Sequence, residues 1–263
     1  MKLLVAVKEV REVDDDFEIS GTTIDDRYLD YDLNEWDDYA VEEAVQIAEA
    51  GGVDEVVAVT IGPERSEETI RMALAKGADR AVRVWDDDVA AEDLLDPRSK
   101  ARLLAAVVER EAPDLVLTGV QASDDAFGTT GVALAERVGY EWAAVVNALD
   151  LDAEAGVASV HRELEGGVEE LTDVELPAVL TIQTGINEPR YASLRGIRQA
   201  QQKEIAHQTV AGLGLDADAV RGPLELTEMY EPETESDAEI FEGSPDDTAA
   251  QLAGVLREKG VGE

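Results

Sequence analysis

The first half of the chain alternates short apolar runs with amphipathic stretches. Leu3-Leu4-Val5-Ala6-Val7, within Met1–Lys8, has no polar break and predicts a strand buried on both faces. After an acidic stretch to Asp32, expected as a long loop or small hairpin, Val41, Ala44, Val45 and Ala48 fall at i, i+3, i+4 and i+7. That spacing predicts a helix over 36–50, closed by Gly51-Gly52. Val56-Val57-Ala58-Val59 predicts a second buried strand, and a helix from about Glu64 to Lys76 stops at Gly77. A third strand is expected over Ala81–Trp85, a helix over Pro97–Glu111, a fourth strand over Asp114–Val120 and a helix over Thr129–Val138, ended by Gly139. Buried strands alternating with helices at this rhythm predict an α/β fold, a doubly wound and mostly parallel sheet of Rossmann-like type. Such sheets bind ligands at the carboxyl ends of their strands where strand order reverses, which points to the turns after Lys8, Ile61 and Gly119.

Beyond Gly139 the rhythm changes. Residues 157–164 and 168–174, joined by Gly166-Gly167, read as an added β-hairpin, and Ala178–Ile182 as another apolar strand. From about Gly212 the chain is acidic and turn-rich until Ser244-Pro245-Asp246-Asp247. There an N-cap serine, a first-turn proline and two dipole-matching aspartates announce a last helix with Leu252, Val255 and Leu256 on one stripe. The expected organisation is one α/β nucleotide-binding domain over 1–211, followed by an acidic arm over 212–263 that ends in a helix. No internal repeat or low-complexity segment breaks this scheme.

Composition sharpens the picture. The 263 residues include 22 Lys+Arg against 60 Asp+Glu, a net charge of −38, with 44% hydrophobic residues and no cysteine. The apolar fraction suits a folded protein, while the charge excludes general binding to nucleic-acid backbones. Without cysteine there is no disulfide framework or thiolate chemistry. No apolar run approaches the ~20 residues of a membrane span, and the start lacks the features of a signal peptide, so a cytoplasmic protein without direct membrane insertion is expected. The acidic excess is dispersed and only six basic residues are lysine. Self-repulsion on this scale disfavours a compact state in dilute buffer, whereas at 1 M salt the screening length falls to about 3 Å; the pattern predicts a halophilic protein of a salt-rich cytoplasm.

Catalytic constellations are scarce. The two histidines, His161 and His207, sit in no zinc spacing, and there is no nucleophile elbow, Walker loop or G-x-G-x-x-G fingerprint. The segment Thr118–Gly131 is richer: it follows a buried strand, carries three glycines and the pair Thr129-Thr130, and opens a helix. A helix start after glycine offers N–H groups and partial positive charge to a phosphate, with Thr129 and Thr130 as added donors. The plainer reading is a strand–loop–helix turn capped by Asp125 or Thr129. A second anomaly is a basic island: Arg190, Arg195, Arg198 and Lys203 without an intervening acidic residue, interleaved with Tyr191, Leu194 and Ile197. These residues either balance the acidic remainder or form a docking surface in which Leu194 anchors and the arginines orient an acidic partner.

In one order along the chain, Leu4-Val5-Ala6-Val7-Lys8, Asn34 with Tyr39–Ala44, Glu67–Arg80, Gly119-Val120-Gln121-Ala122 with Asp124-Asp125, Thr130-Gly131, Leu176–Thr181 and Ile186–Leu194 resemble the β subunit of electron transfer flavoprotein. The resemblance implies a heterodimer with an α subunit that carries most of the FAD site. It also implies electrons taken from dehydrogenases, such as acyl-CoA dehydrogenases, and passed to a quinone oxidoreductase, with no bond-making chemistry on this chain. It implies a structural AMP touching Ala6, Asn34, Glu35, Trp36, Asp37, Ile61, Gly119, Val120, Gln121, Ala122, Ser123, Asp124, Asp125, Ala126, Phe127, Gly128, Thr129 and Thr130, with Trp36 near the flavin. The recognition loop would span about 182–204, with Leu194 as anchor. The acidic arm, tethered by a polar stretch, is expected either to fold back on this chain or to pack on the α subunit. Two departures keep alternatives open. Glu35 stands where members often have proline, and the loop Ala126–Thr130 matches neither the AMP pattern nor that of a second, electron-bifurcating FAD oxidising NADH, although Thr130 leans towards AMP. A stand-alone adenine-nucleotide-binding domain is the third reading, which leaves the hairpin and basic island without a purpose.

Overall fold

A computed structural model describes residues 1–232 and 238–260, which fall into two units, Met1–Met229 and Tyr230–Glu263. In chain order the first contains β1 (Lys2–Ala6), β2 (Glu9–Val13), the two-residue strands β3 (Ile19–Ser20) and β4 (Thr23–Ile24), β5 (Leu29–Leu33), α1 (Glu35–Ala50), β6 (Glu55–Ile61), α2 (Glu67–Lys76), β7 (Arg80–Val84) and the single turn α3 (Asp87–Ala90). It continues with α4 (Pro97–Glu111), β8 (Leu115–Gly119), α5 (Thr130–Val138), β9 (Glu141–Asp152), β10 (Val157–Leu164), β11 (Val168–Glu175), β12 (Ala178–Ile182), α6 (Leu194–Ala200) and β13 (Ile205–Gln208).

Among the described residues nine strands form one sheet, in the order β11-β10-β9-β12-β8-β1-β6-β7-β13. From β9 to β13 every neighbouring pair is parallel, and β10 alone runs against the others, antiparallel to both β9 and β11. The mixed, mostly parallel α/β architecture is the one the apolar runs predict. Those runs are continuous because both faces are covered. Leu3 and Val5 join a core with Ala40, Val41, Ala44 and Val45 of α1 and Ile70, Ala73 and Leu74 of α2. Leu4, between them, points into a second core with Leu103, Leu104 and Val107 of α4 and Leu134 of α5. Alternate residues of one strand thereby anchor opposite helix layers.

Two features differ from the expectations, and a third settles an alternative they left open. The hairpin is the outer part of a three-stranded meander, because β9 begins in the parallel sheet beside β12 and then pairs with β10. The acidic stretch before Asp32 folds as two nested antiparallel pairs, β2 with β5 and β3 with β4. The first unit extends to Met229 instead of ending at 211, since Leu213 and Val220 are buried in the second core. The second unit carries α7 (Pro245–Glu258), started by a reciprocal capping box between Ser244 and Asp247. Among the described residues of α7 no side chain is buried, and Leu252 and Leu256 stand exposed.

Candidate functional site

From β1 the sheet grows through β6, β7 and β13 on one side and through β8, β12 and β9 on the other. Strand order therefore reverses between β1 and β8, and a crevice opens at their carboxyl ends. The start of α1 closes this crevice. Asn34 occupies the N-cap position, yet its side chain makes no capping bond. It is diverted: Nδ2 donates to the Gln121 carbonyl (2.8 Å) and Oδ1 accepts from Ser123 N–H (3.3 Å), which pins the loop after β8.

Asp37, one turn on, is buried and stitches the two strands together. Its carboxyl accepts from Lys8 N–H (2.8 Å) at the end of β1 and from Gly119 N–H (2.9 Å) at the end of β8. Burial pushes Asp37 up to about 7, against the two backbone N–H bonds and the Asn34 amide, which pull it down. Only glycine fits at 119, because a Cβ there would lie 2.5 Å from Asp37 Oδ1 and 2.6 Å from Trp36 Cβ. Trp36 is half-buried, and its indole N–H donates to Gln183 Oε1 (3.0 Å) just beyond β12.

The loop between Gly119 and Thr130 is held from beneath by two of the six lysines. Lys8 bonds Asp124 and Asp125, and Lys100 of α4 bonds Asp125 while standing over the Phe127 ring at 5.4 Å. Against burial, which would raise it, the Lys100 and Lys8 ammonium groups hold the Asp125 carboxyl below the ordinary carboxylate range. At the loop's end Thr129 takes the N-cap position of α5 without a side-chain capping bond. The N–H groups of Gly128, Thr129 and Thr130, and both threonine hydroxyls, have no hydrogen-bond partner among the described residues. Three free donors and two hydroxyls at a helix start suit an anionic group such as a phosphate.

The structure thus gathers Ala6 at the end of β1, Asn34 to Asp37, and Gly119 to Thr130 at one edge, with Ile61 at the carboxyl end of the adjacent β6. Lys100 and Gln183 join them unforeseen. For Lys100 the available signal was its rarity, one lysine among six in a chain of −38. His161 lies elsewhere, on β10, with Nε2 3.3 Å from Glu169 of β11.

The basic island divides. Arg190 turns inward onto α1, pairing with Glu42 (2.8 Å) and Glu49 (2.7 Å). Beyond it, Tyr191 is 100% exposed and Leu194 79%, with Ile197 also exposed. The Arg195 and Arg198 side chains make no ion pair or hydrogen bond among the described residues. Five residues therefore present a mixed apolar and cationic face to solvent, and Arg190 supports it from behind.

A family model described as the electron transfer flavoprotein domain matches residues 21–213. The chain is 45% identical over 264 residues to the electron transfer flavoprotein subunit beta of Methylophilus methylotrophus, covering 98% of each chain. It is 37% identical over 234 residues to the mitochondrial electron transfer flavoprotein subunit beta of Arabidopsis thaliana, covering 88% of this chain and 90% of the relative. To the Bacillus subtilis electron transfer flavoprotein subunit beta it is 33% identical over 261 residues, with 98% of both chains covered.

Proposed function

Because the chain belongs to the family of electron transfer flavoprotein β subunits, we propose that it holds a structural AMP at the β1/β8 crevice and docks electron-donating dehydrogenases through α6. Members of the family carry electrons in company with an α subunit and a flavin and are not enzymes. The AMP reading rests on one observation: the unpartnered N–H groups of Gly128, Thr129 and Thr130 lie on a loop pinned by Asn34, next to the crevice where strand order reverses. Those N–H groups and the Thr129 and Thr130 hydroxyls would hold the phosphate, with Ala6, Asn34 to Asp37 and Ile61 around the nucleoside. Neutralisation of Asp124 and Asp125 by Lys8 and Lys100 lowers the repulsion that an anion would meet there.

FAD, carried mainly by the α subunit, supplies the redox chemistry when bound. This chain's own part is positional. Trp36, oriented by Gln183, presents its indole at the carboxyl edge of the sheet, where it would border the flavin. Leu194 and its neighbours would meet an acyl-CoA dehydrogenase, and electrons would leave to a quinone oxidoreductase. The α7 arm, with its outward Leu252 and Leu256, would pack on the α subunit. No helix among the described residues is long and apolar enough to cross a membrane, and the dispersed negative charge suits a halophilic, cytoplasmic setting.

The test is to purify the complex with its α subunit in multimolar salt, denature it and identify every released cofactor by mass. AMP and FAD in equal amounts support the carrier reading. Two FAD and no AMP would replace it with an electron-bifurcating one. A stable chain with neither partner nor flavin would leave a stand-alone nucleotide-binding domain. In the same complex, Leu194→Ala should slow reduction by the dehydrogenase and leave flavin content intact; lost flavin with unchanged docking would remove Leu194 from its role.

A further inference from the structure

A seven-residue helix has little stability of its own, and α6 buries only one residue, Ala200. Yet both ends and the underside of this segment are fixed. Upstream, Asn187 Nδ2 donates to the Tyr39 carbonyl (3.1 Å) and to Glu43 (2.8 Å), and Arg190 pairs with Glu42 and Glu49, all on α1. Ser193 caps the first turn by accepting from Gly196 N–H (3.0 Å).

Downstream, α6 and α2 cap each other. Arg71 of α2 donates from Nη1 to the Ala200 carbonyl (2.5 Å) and the Lys203 carbonyl (2.7 Å), at the end of α6. Lys203 returns the bond, donating from Nζ to the Leu74 carbonyl (3.0 Å) and the Ala78 carbonyl (2.6 Å), at the end of α2. Each cation donates to carbonyls at or just beyond the carboxyl end of the partner helix, the end where positive charge is favoured. Between these bonds the backbones touch: a Cβ at Gly196 would lie 2.3 Å from the Ala75 carbonyl oxygen. Glycine is a poor helix former, so its presence in mid-helix is explained by this approach.

We propose that Arg71, Gly196 and Lys203 are positioning residues that hold α6 rigid, so that Leu194, flanked by Arg195 and Arg198, is presented to a protein surface with an apolar pocket rimmed by carboxylates. The proposal rests on the docking role of Leu194. A segment ordered before contact loses less conformational entropy on binding, so its rigidity is read as affinity. Arginine and lysine here act through the helix they hold, and neither faces the partner.

The experiment uses the flavin-loaded complex with the α subunit and an acyl-CoA dehydrogenase reduced with octanoyl-CoA. The variants are Gly196→Ala, Arg71→Met, Arg71→Lys and Leu194→Ala. Gly196→Ala and Arg71→Met are expected to raise the KM for the dehydrogenase about fivefold or more, with kcat within about twofold. In the unbound complex the amides of residues 194–200 should exchange hydrogen about tenfold faster or more, with flavin content unchanged. Arg71→Lys, which keeps a donor for the α6 carbonyls, should recover part of both effects. If Leu194→Ala raises KM while Gly196→Ala and Arg71→Met leave KM or exchange at the parent values, the proposal is overturned and the docking role stands. If Leu194→Ala leaves KM unchanged, the docking role falls and takes the proposal with it.

Discussion

Replacing Asp37 by asparagine isolates the electrostatics at the strand crossover. In the folded chain this carboxyl titrates at about 7, against 3.8 for the free side chain, because burial disfavours its charged form. The folded state therefore binds the proton more tightly than the unfolded state, and stability falls as pH rises from about 4 towards 7 and above. The full difference corresponds to about 4 kcal/mol, of which about 2–3 kcal/mol is lost between pH 5 and 8. Asparagine removes this titration at a separate cost. Both carboxyl oxygens accept from backbone N–H groups, and an amide offers only one acceptor atom, so one N–H is orphaned for about 1–3 kcal/mol. That offset is the same at every pH. Urea denaturation of both proteins as complexes at constant salt gives the difference in stability, in which all other titrating groups cancel. The variant should gain about 2–3 kcal/mol on the parent from pH 5 to 8. A difference that stays flat over this range would refute a raised Asp37 and leave an ionised carboxylate held by its two donors.

Asn34→Ala removes both bonds that pin the loop after β8 and leaves the Gln121 carbonyl and Ser123 N–H unmatched; hydrogen exchange over 119–125 should accelerate, with about 1–3 kcal/mol lost in denaturation. Thr130→Val deletes a hydroxyl beside the free N–H groups and should lower retained nucleotide by about 1 kcal/mol in affinity, measured by titration of the stripped complex; unchanged affinity would move the phosphate elsewhere. With a net charge of −38, the melting temperature of the complex should climb steadily with KCl into the molar range. A melting temperature indifferent to salt would contradict the halophilic reading.

The strand ends that frame the candidate site are legible in the sequence. The apolar runs ending at Lys8, Ile61 and Gly119 mark strand ends, and the rule that ligands gather at reversals of strand order selected the loop Gly119–Thr130. The roles of Lys100 and Gln183 were not legible, since neither belongs to a local pattern. Strand β13 was equally hidden: Ile-Ala-His-Gln has no strong periodicity, and its pairing with β7 is what makes it a strand. The basic island was visible as a run of charge, but its division was not. Arg190 and Arg195 look alike in sequence, and only the position of α1 separates the support from the displayed face.

Local pattern alone specifies the parallel strands β1, β6, β7, β8 and β12, the helices α1, α2, α4, α5 and α7, and the caps that start α4 and α7. These follow from periodicity and capping, which act between neighbours and are repeated over many residues, so single exceptions do not erase them. Which polar groups meet is settled by the packed fold. Asp37 reaches N–H groups 29 and 82 residues away, and Arg190 reaches Glu42 across 148. Such contacts depend on strand order and on how each helix lies across the sheet, and those are fixed by the packing of two cores at once.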